Sequence, residues 1–199
     1  MEPVVSAGVE ALALVEVDGV ARGLRCVDAL VKRAPVAVHE ANLVEPGKFL
    51  ILFSGGVAEV EESYAAVLEI GGDRILDRML LPVVHPLLVR GLAGALDLDA
   101  PDTVGVVEGK VVAGVLEACD RSLKDAAVLL AGVRTQGGLG GRAYYADHGL
   151  QHDVEAALEA GRQVLERRGT LYGIERIAHP HPEFLAWLLR PPPFTPGGF

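Results

Sequence analysis

The chain contains one pattern twice. "CVDALVKRAPV" at residues 26–36 returns in altered form as "ACDRSLKDAAV" at residues 118–128. Shifting the sequence by 92 superposes Glu16 on Glu108, Val20 on Val112, Ala21 on Ala113, Leu24 on Leu116, Asp28 on Asp120, Lys32 on Lys124, Ala34 on Ala126 and Val36 on Val128. These eight identities fall in 21 positions, where average composition gives roughly two by chance. The fold must therefore be built from two similar units.

Each copy has the same order of hydrophobic patterns. Val20, Leu24, Val27 and Val31 recur at helical spacing, as do Val112, Leu116, Cys119 and Leu123, which predicts one amphipathic helix per copy with an equivalent buried stripe. Short apolar runs before them, "ALALVEV" and "TVGVVEG", predict buried strands. After them "VAVHEANLVEPGKFLILFSGG" and "VLLAGVRTQGGLGGRAYYADHG" alternate around a Pro-Gly or Gly-rich centre, as two strands joined by a loop would.

Second helices are predicted over residues 58–70 and 153–167, with Val60, Tyr64, Val67 and Val154, Leu158, Gly161 facing inward. Closing strands are read in "RMLLPVVHP" and "YGIERIAHPHP". The result is β-α-β-β-α-β, a ferredoxin-like split β-α-β arrangement of the α/β (α+β) class, present twice. The units cover residues 9–92 and 103–190, with a small, acidic linker at 93–102 and a Pro/Gly-rich tail at 191–199.

Composition removes several functions. In 199 residues, 27 acidic against 18 basic side chains give a net charge of −9 with no basic run, so nucleic acid is not an expected partner. The stretch "MLLPVVHPLLVRGLAGALDLDA" is broken by Pro82, His85, Pro86 and Arg90, so no membrane span is expected. Two cysteines form no CxxC and the N-terminus has no basic start of a secretion signal, which points to the cytoplasm.

These residues resemble the bacterial microcompartment shell proteins of the tandem-domain class, in unpermuted order. The resemblance lies in the strand at residues 11–16 followed by Asp28-Ala29, Lys32, Ala34 and Val36, and in Val104 to Glu108 followed by Asp120, Lys124, Ala126 and Val128. The family's closing Pro-and-His motif has counterparts in Leu81-Pro82-Val83-Val84-His85 and Ile177-Ala178-His179-Pro180-His181, both without the family's Arg.

The resemblance implies a structural protein without catalysis or cofactor: a homotrimer whose six domains form a pseudohexameric disc. It would tile with hexameric and pentameric shell proteins and pass small polar metabolites through a central pore. Lys32, Lys124, Asp28, Asp120, His85 and His181 would then make tile-edge contacts. Val44, Glu45, Pro46, Gly47, Gln136, Gly137, Gly138, Leu139, Gly140 and Gly141 would line the pore. The alternative is a trimeric ferredoxin-like sensor or enzyme that binds a small ligand between subunits.

Other chemistry finds little support. "GGLGG" at 137–141 precedes an alternating strand, whereas phosphate-binding glycine loops feed a helix. Strand alternation would put His179 and His181 on one face, but no Cys or carboxylate completes a metal-ligand spacing there. Cys119 lies on the predicted buried stripe and Cys26 beside it, and neither falls in the loops where some tandem shell proteins hold an iron–sulfur cluster.

Overall fold

The computed structural model describes residues 9–94, 101–135 and 139–188. The first unit comprises β1 (Ala11–Asp18), α1 (Val20–Arg33), β2 (Ala37–Val44), β3 (Lys48–Gly55), α2 (Val57–Gly71), β4 (Ile75–Leu81) and α3 (Pro86–Leu92). The second comprises β5 (Thr103–Gly109), α4 (Val112–Asp125), β6 (Leu129–Arg134), β7 (Ala143–Gly149), α5 (Gln151–Arg167), β8 (Leu171–Ala178) and α6 (Pro182–Leu188).

Each unit has a four-stranded sheet, in order β2-β3-β1-β4 and β6-β7-β5-β8, with all neighbouring strands antiparallel. This is the split arrangement expected from the repeat, since β3 lies between the ends of one β-α-β crossover and β1 between the ends of the other. Register shows where the copies drift apart. Glu16 opposes Leu50 and Asp77, while Glu108 opposes Tyr144 and Gly173. The offset thus grows from 92 to 94 across the longer second hairpin loop and to 96 by β8, because α5 has 17 residues against 15 in α2.

β1 is apolar on both faces because both are covered. Ala11, Ala13, Val15 and Val17 face α1 and α2, with Cys26, Leu30, Phe53 and Val67. Leu12 and Leu14 belong instead to a core shared with the second unit, together with Val112, Leu116 and Leu123 of α4.

Two expectations are corrected. The closing strands stop at Leu81 and Ala178, earlier than predicted. Proline has no amide to extend a ladder, and both segments turn into short helices that begin at Pro86 and Pro182. His85 Nδ1 accepts from the Leu87 amide at 3.2 Å, and His181 Nδ1 from the Glu183 amide at 3.3 Å. His179 and His181 therefore share no strand face, and His179 lies past β8 at φ 47°.

The second correction concerns α1. Its predicted stripe is not buried: Val20, Leu24 and Val31 are 40%, 56% and 51% exposed, and the helix buries Gly23, Cys26 and Leu30 instead, with Val27 only partly covered. Cys26, placed beside the stripe by the sequence, is itself core. In α4 the stripe behaves as predicted, since Val112, Leu116, Cys119 and Leu123 are all buried. The two helices match in sequence but differ in what covers them.

Candidate functional site

The cover over the α4 stripe is the first unit. α4 packs across β4 and β1, and α3 reaches over to β6. A line of polar contacts follows this seam from end to end.

At one end are the hairpin loops. Glu16 is fully buried; its Oε2 accepts from Lys48 Nζ at 2.8 Å and its Oε1 from the Ala113 amide at the start of α4, also at 2.8 Å. Lys48 Nζ donates in addition to the Gly141 carbonyl at 3.1 Å, so one ion pair joins strand, helix and the opposite loop. The loops approach closely enough that a Cβ on Gly141, which has φ +83°, would lie 2.9 Å from the Glu45 carbonyl oxygen. Only glycine suits both that conformation and that gap.

At the other end stand Asp120, Lys124 and His85. Asp120, 4% exposed, accepts from the His85 amide at 2.8 Å through Oδ1 and from Lys124 Nζ at 2.5 Å through Oδ2. Lys124 Nζ also donates to the Val83 carbonyl. Burial holds the His85 imidazole below its ordinary value, against the opposing pull of Asp120. Midway, Arg168 at the end of α5 bridges Asp77 at 2.6 Å and Glu117 at 2.5 Å and donates to the Arg78 carbonyl.

Every feature of this seam except the Arg168 bridge has a counterpart on the outer surfaces of the chain. Glu108 and Arg142 form the pair that matches Glu16 and Lys48, at 2.9 Å. Lys32 and Asp28 pair at 2.6 Å on α1 as Lys124 and Asp120 do on α4, but there both side chains are largely exposed. Val104, Ala146 and Ile177, the counterparts of Leu12, Leu52 and Leu81, form a small cluster with Ala131 and Val106, flanked by Leu185 and Leu188 of α6. The chain thus carries one closed seam and the two separated halves of a second.

Residues 11–84 and 103–180 each match the BMC domain family. The chain belongs to the BMC-domain family. It is 30% identical over 172 residues to the bacterial microcompartment shell protein PduT of Citrobacter freundii, an alignment that covers 86% of this chain and 94% of that protein. The crystal structure of a microcompartment protein from Desulfitobacterium hafniense DCB is 33% identical, with a TM-score of 0.80 over 89% of this chain and 98% of that one. The fused permuted hexameric shell protein MSM0275 shares the fold, at 20% identity, with a TM-score of 0.60 over 79% of this chain and 82% of that one.

Within this tandem BMC fold the predicted residues separate into groups. Asp120, Lys124 and His85 come together at one end of the closed seam, and Asp28, Lys32 and His181 occupy the matching positions on the open halves. Val44 is a buried strand end, Glu45, Pro46 and Gly47 form an exposed turn, and Leu139, Gly140 and Gly141 lie in the facing loop. Gln136, Gly137 and Gly138 lie outside the described residues.

Sequence reasoning missed Glu16 and Glu108 as seam residues, although they are the first identity of the repeat. It also missed Asp147. This β7 carboxyl is fully buried where the first unit has Phe53, and neither oxygen has a hydrogen-bond partner among the described residues. Burial pushes it up to about 7, with the nearby amides of Asp147 and Gly105 opposing.

Proposed function

We propose that the protein is a structural shell component of a cytoplasmic bacterial microcompartment, acting by assembly and without catalysis. Three copies close a ring by repeating the internal seam between neighbouring chains. The observation that carries this reading is the contrast between α4 and α1: the same apolar stripe is buried on the one and exposed on the other. A surface so matched to a contact already made within the chain fits a second copy of the chain.

The internal seam supplies the template for the contacts. The amide of Ala21 would reach Glu108 of the next chain as Ala113 reaches Glu16, and the Arg142 of that chain would reach the Gly47 carbonyl of this one as Lys48 reaches Gly141. Asp28 would accept from the His181 amide of the neighbour, and Lys32 would take the place of Lys124. Val20, Leu24 and Val31 would close the cluster of Val104 and Ile177, each side chain contributing about 1.5–3 kcal/mol on full burial.

In such a ring the hairpin loops meet at the centre, where Glu45, Pro46, Gly47 and the glycines of the second loop border an opening for small polar metabolites. The far ends of the seams, with Lys32, Lys124, Asp28, Asp120, His85 and His181, form the edge that meets other shell proteins. There Lys124 offers mainly its apolar stem, because its ammonium is already committed to Asp120 and Val83.

The test is Leu24→Arg. A charged side chain in the centre of the open stripe is expected to give a folded monomer with unchanged circular dichroism. A variant that assembles like the parent would overturn the proposed interface.

A further inference from the structure

The charged groups around the hairpin loops are unequally free. Lys48 is 14% exposed and held between Glu16 and the Gly141 carbonyl. Arg142 is paired with Glu108 at 2.9 Å, donates to the Leu139 carbonyl at 3.1 Å and lies 4.2 Å over the Tyr172 ring. Lys48 and Arg142, the cations that follow the two loops, are thus each matched by a carboxylate.

Asp18, Arg74, Arg134 and Lys110 also lie near this end of the fold. Asp18 and Arg74 pair with each other at 2.8 Å. Arg134 lines a cleft with Gly91, Gly132 and Tyr144. Lys110 is exposed on the turn from β5 into α4, in neither hairpin loop.

Between Arg134 and Arg142 the sequence has no ionisable residue. The first loop has one, Glu45, and it is exposed between Val44 and Pro46. We infer that Glu45 is the residue that sets the charge preference of the central opening: three copies favour cationic and neutral polar metabolites over anions. This rests on the ring reading above, which brings three first loops to one axis.

Three like charges around a narrow aperture add their potentials on the axis, and low-dielectric walls focus the field there. The compensated pairs contribute little, because each cation lies within hydrogen-bond distance of its own carboxylate. Screening at physiological salt reduces the effect, which leaves a cation-over-anion preference of about three- to tenfold.

The test is ion conduction by the purified protein in a planar lipid bilayer under a potassium chloride gradient, with its mass measured in parallel. The parent is expected to show a reversal potential on the potassium side, Glu45→Gln a loss of preference, and Glu45→Lys a preference for chloride. A parent that conducts with a preference unchanged in Glu45→Lys overturns the inference and leaves the ring standing. A protein with the mass of a single chain overturns the ring reading and the inference with it, whereas one with the mass of three chains that conducts nothing overturns the inference alone.

Discussion

Replacing Asp147 by asparagine tests the energetics of the second core. A Cβ on Gly105 would lie 2.3 Å from Oδ1 of the native carboxyl, whose ordinary value of 3.8 burial raises to about 7. Its charge acts on the Cys119 thiol and the Tyr145 phenol, both raised chiefly by burial. Because the folded value exceeds the unfolded one, the native state holds a proton that the unfolded chain releases. Stability from this group is fully present below pH 3.8 and is lost as pH rises to about 7, beyond which the loss is constant.

At about 1.36 kcal/mol per pH unit, that interval corresponds to about 4 kcal/mol. Asparagine has nearly the same shape and does not titrate. Urea denaturation of both proteins at pH 5 and pH 8, at one fixed protein concentration, isolates the group as the difference between them. Asp147→Asn is expected to gain on the parent by a few kcal/mol between pH 5 and pH 8. Parallel losses in the two proteins would refute the reasoning.

Two further perturbations follow from the packing. A Cβ at Gly161 would lie 2.1 Å from the Tyr145 hydroxyl, so Gly161→Ala is expected to cost about 1–3 kcal/mol in thermal or urea denaturation. Adding Tyr145→Phe should return part of that loss, since Ser122 keeps its bond to the Ala157 carbonyl; a double variant no better than the single would reject the clash. Glu16→Gln takes the carboxylate from the largely buried Lys48 ammonium, which keeps its bond to the Gly141 carbonyl, and is expected to cost about 3–5 kcal/mol by urea denaturation, whereas Asp18→Asn, in the exposed pair with Arg74, should cost under about 1 kcal/mol. Equal losses would reject the special weight given to the seam pair.

The fold was largely legible because its signals are local. Alternation marked β2, β3, β6 and β7, helical spacing marked α1 and α4, and the repeat required the second unit to follow the first. The closing strands look longer in the sequence than they are because an apolar run continues through Val83 and Val84, past the proline that ends the ladder. What faces a helix is not a local property. The stripe of Val20, Leu24 and Val31 is written like that of α4, yet among the described residues it stays largely exposed while the α4 stripe is buried against the first unit.

The seam itself was half legible. Asp120, Lys124 and His85 were singled out by their resemblance to a motif, but their joining of two units depends on β4 and α3 arriving beside α4, which no spacing along the chain encodes. Glu16 stood in the sequence as an ordinary strand-end carboxylate, and its burial follows from three separate elements closing over it. Asp147 interrupts an alternating strand with a polar residue on the inner face, a signal that was available, although "YYADHG" equally suits a strand running out into a turn.

The most direct test of the account is the mass of the purified, size-fractionated protein by multi-angle light scattering. Three chains of 21.0 kDa, about 63 kDa, or twice that for two stacked rings, is the predicted result. A stable species of 21.0 kDa, with the α1 stripe left open to water, would contradict the ring.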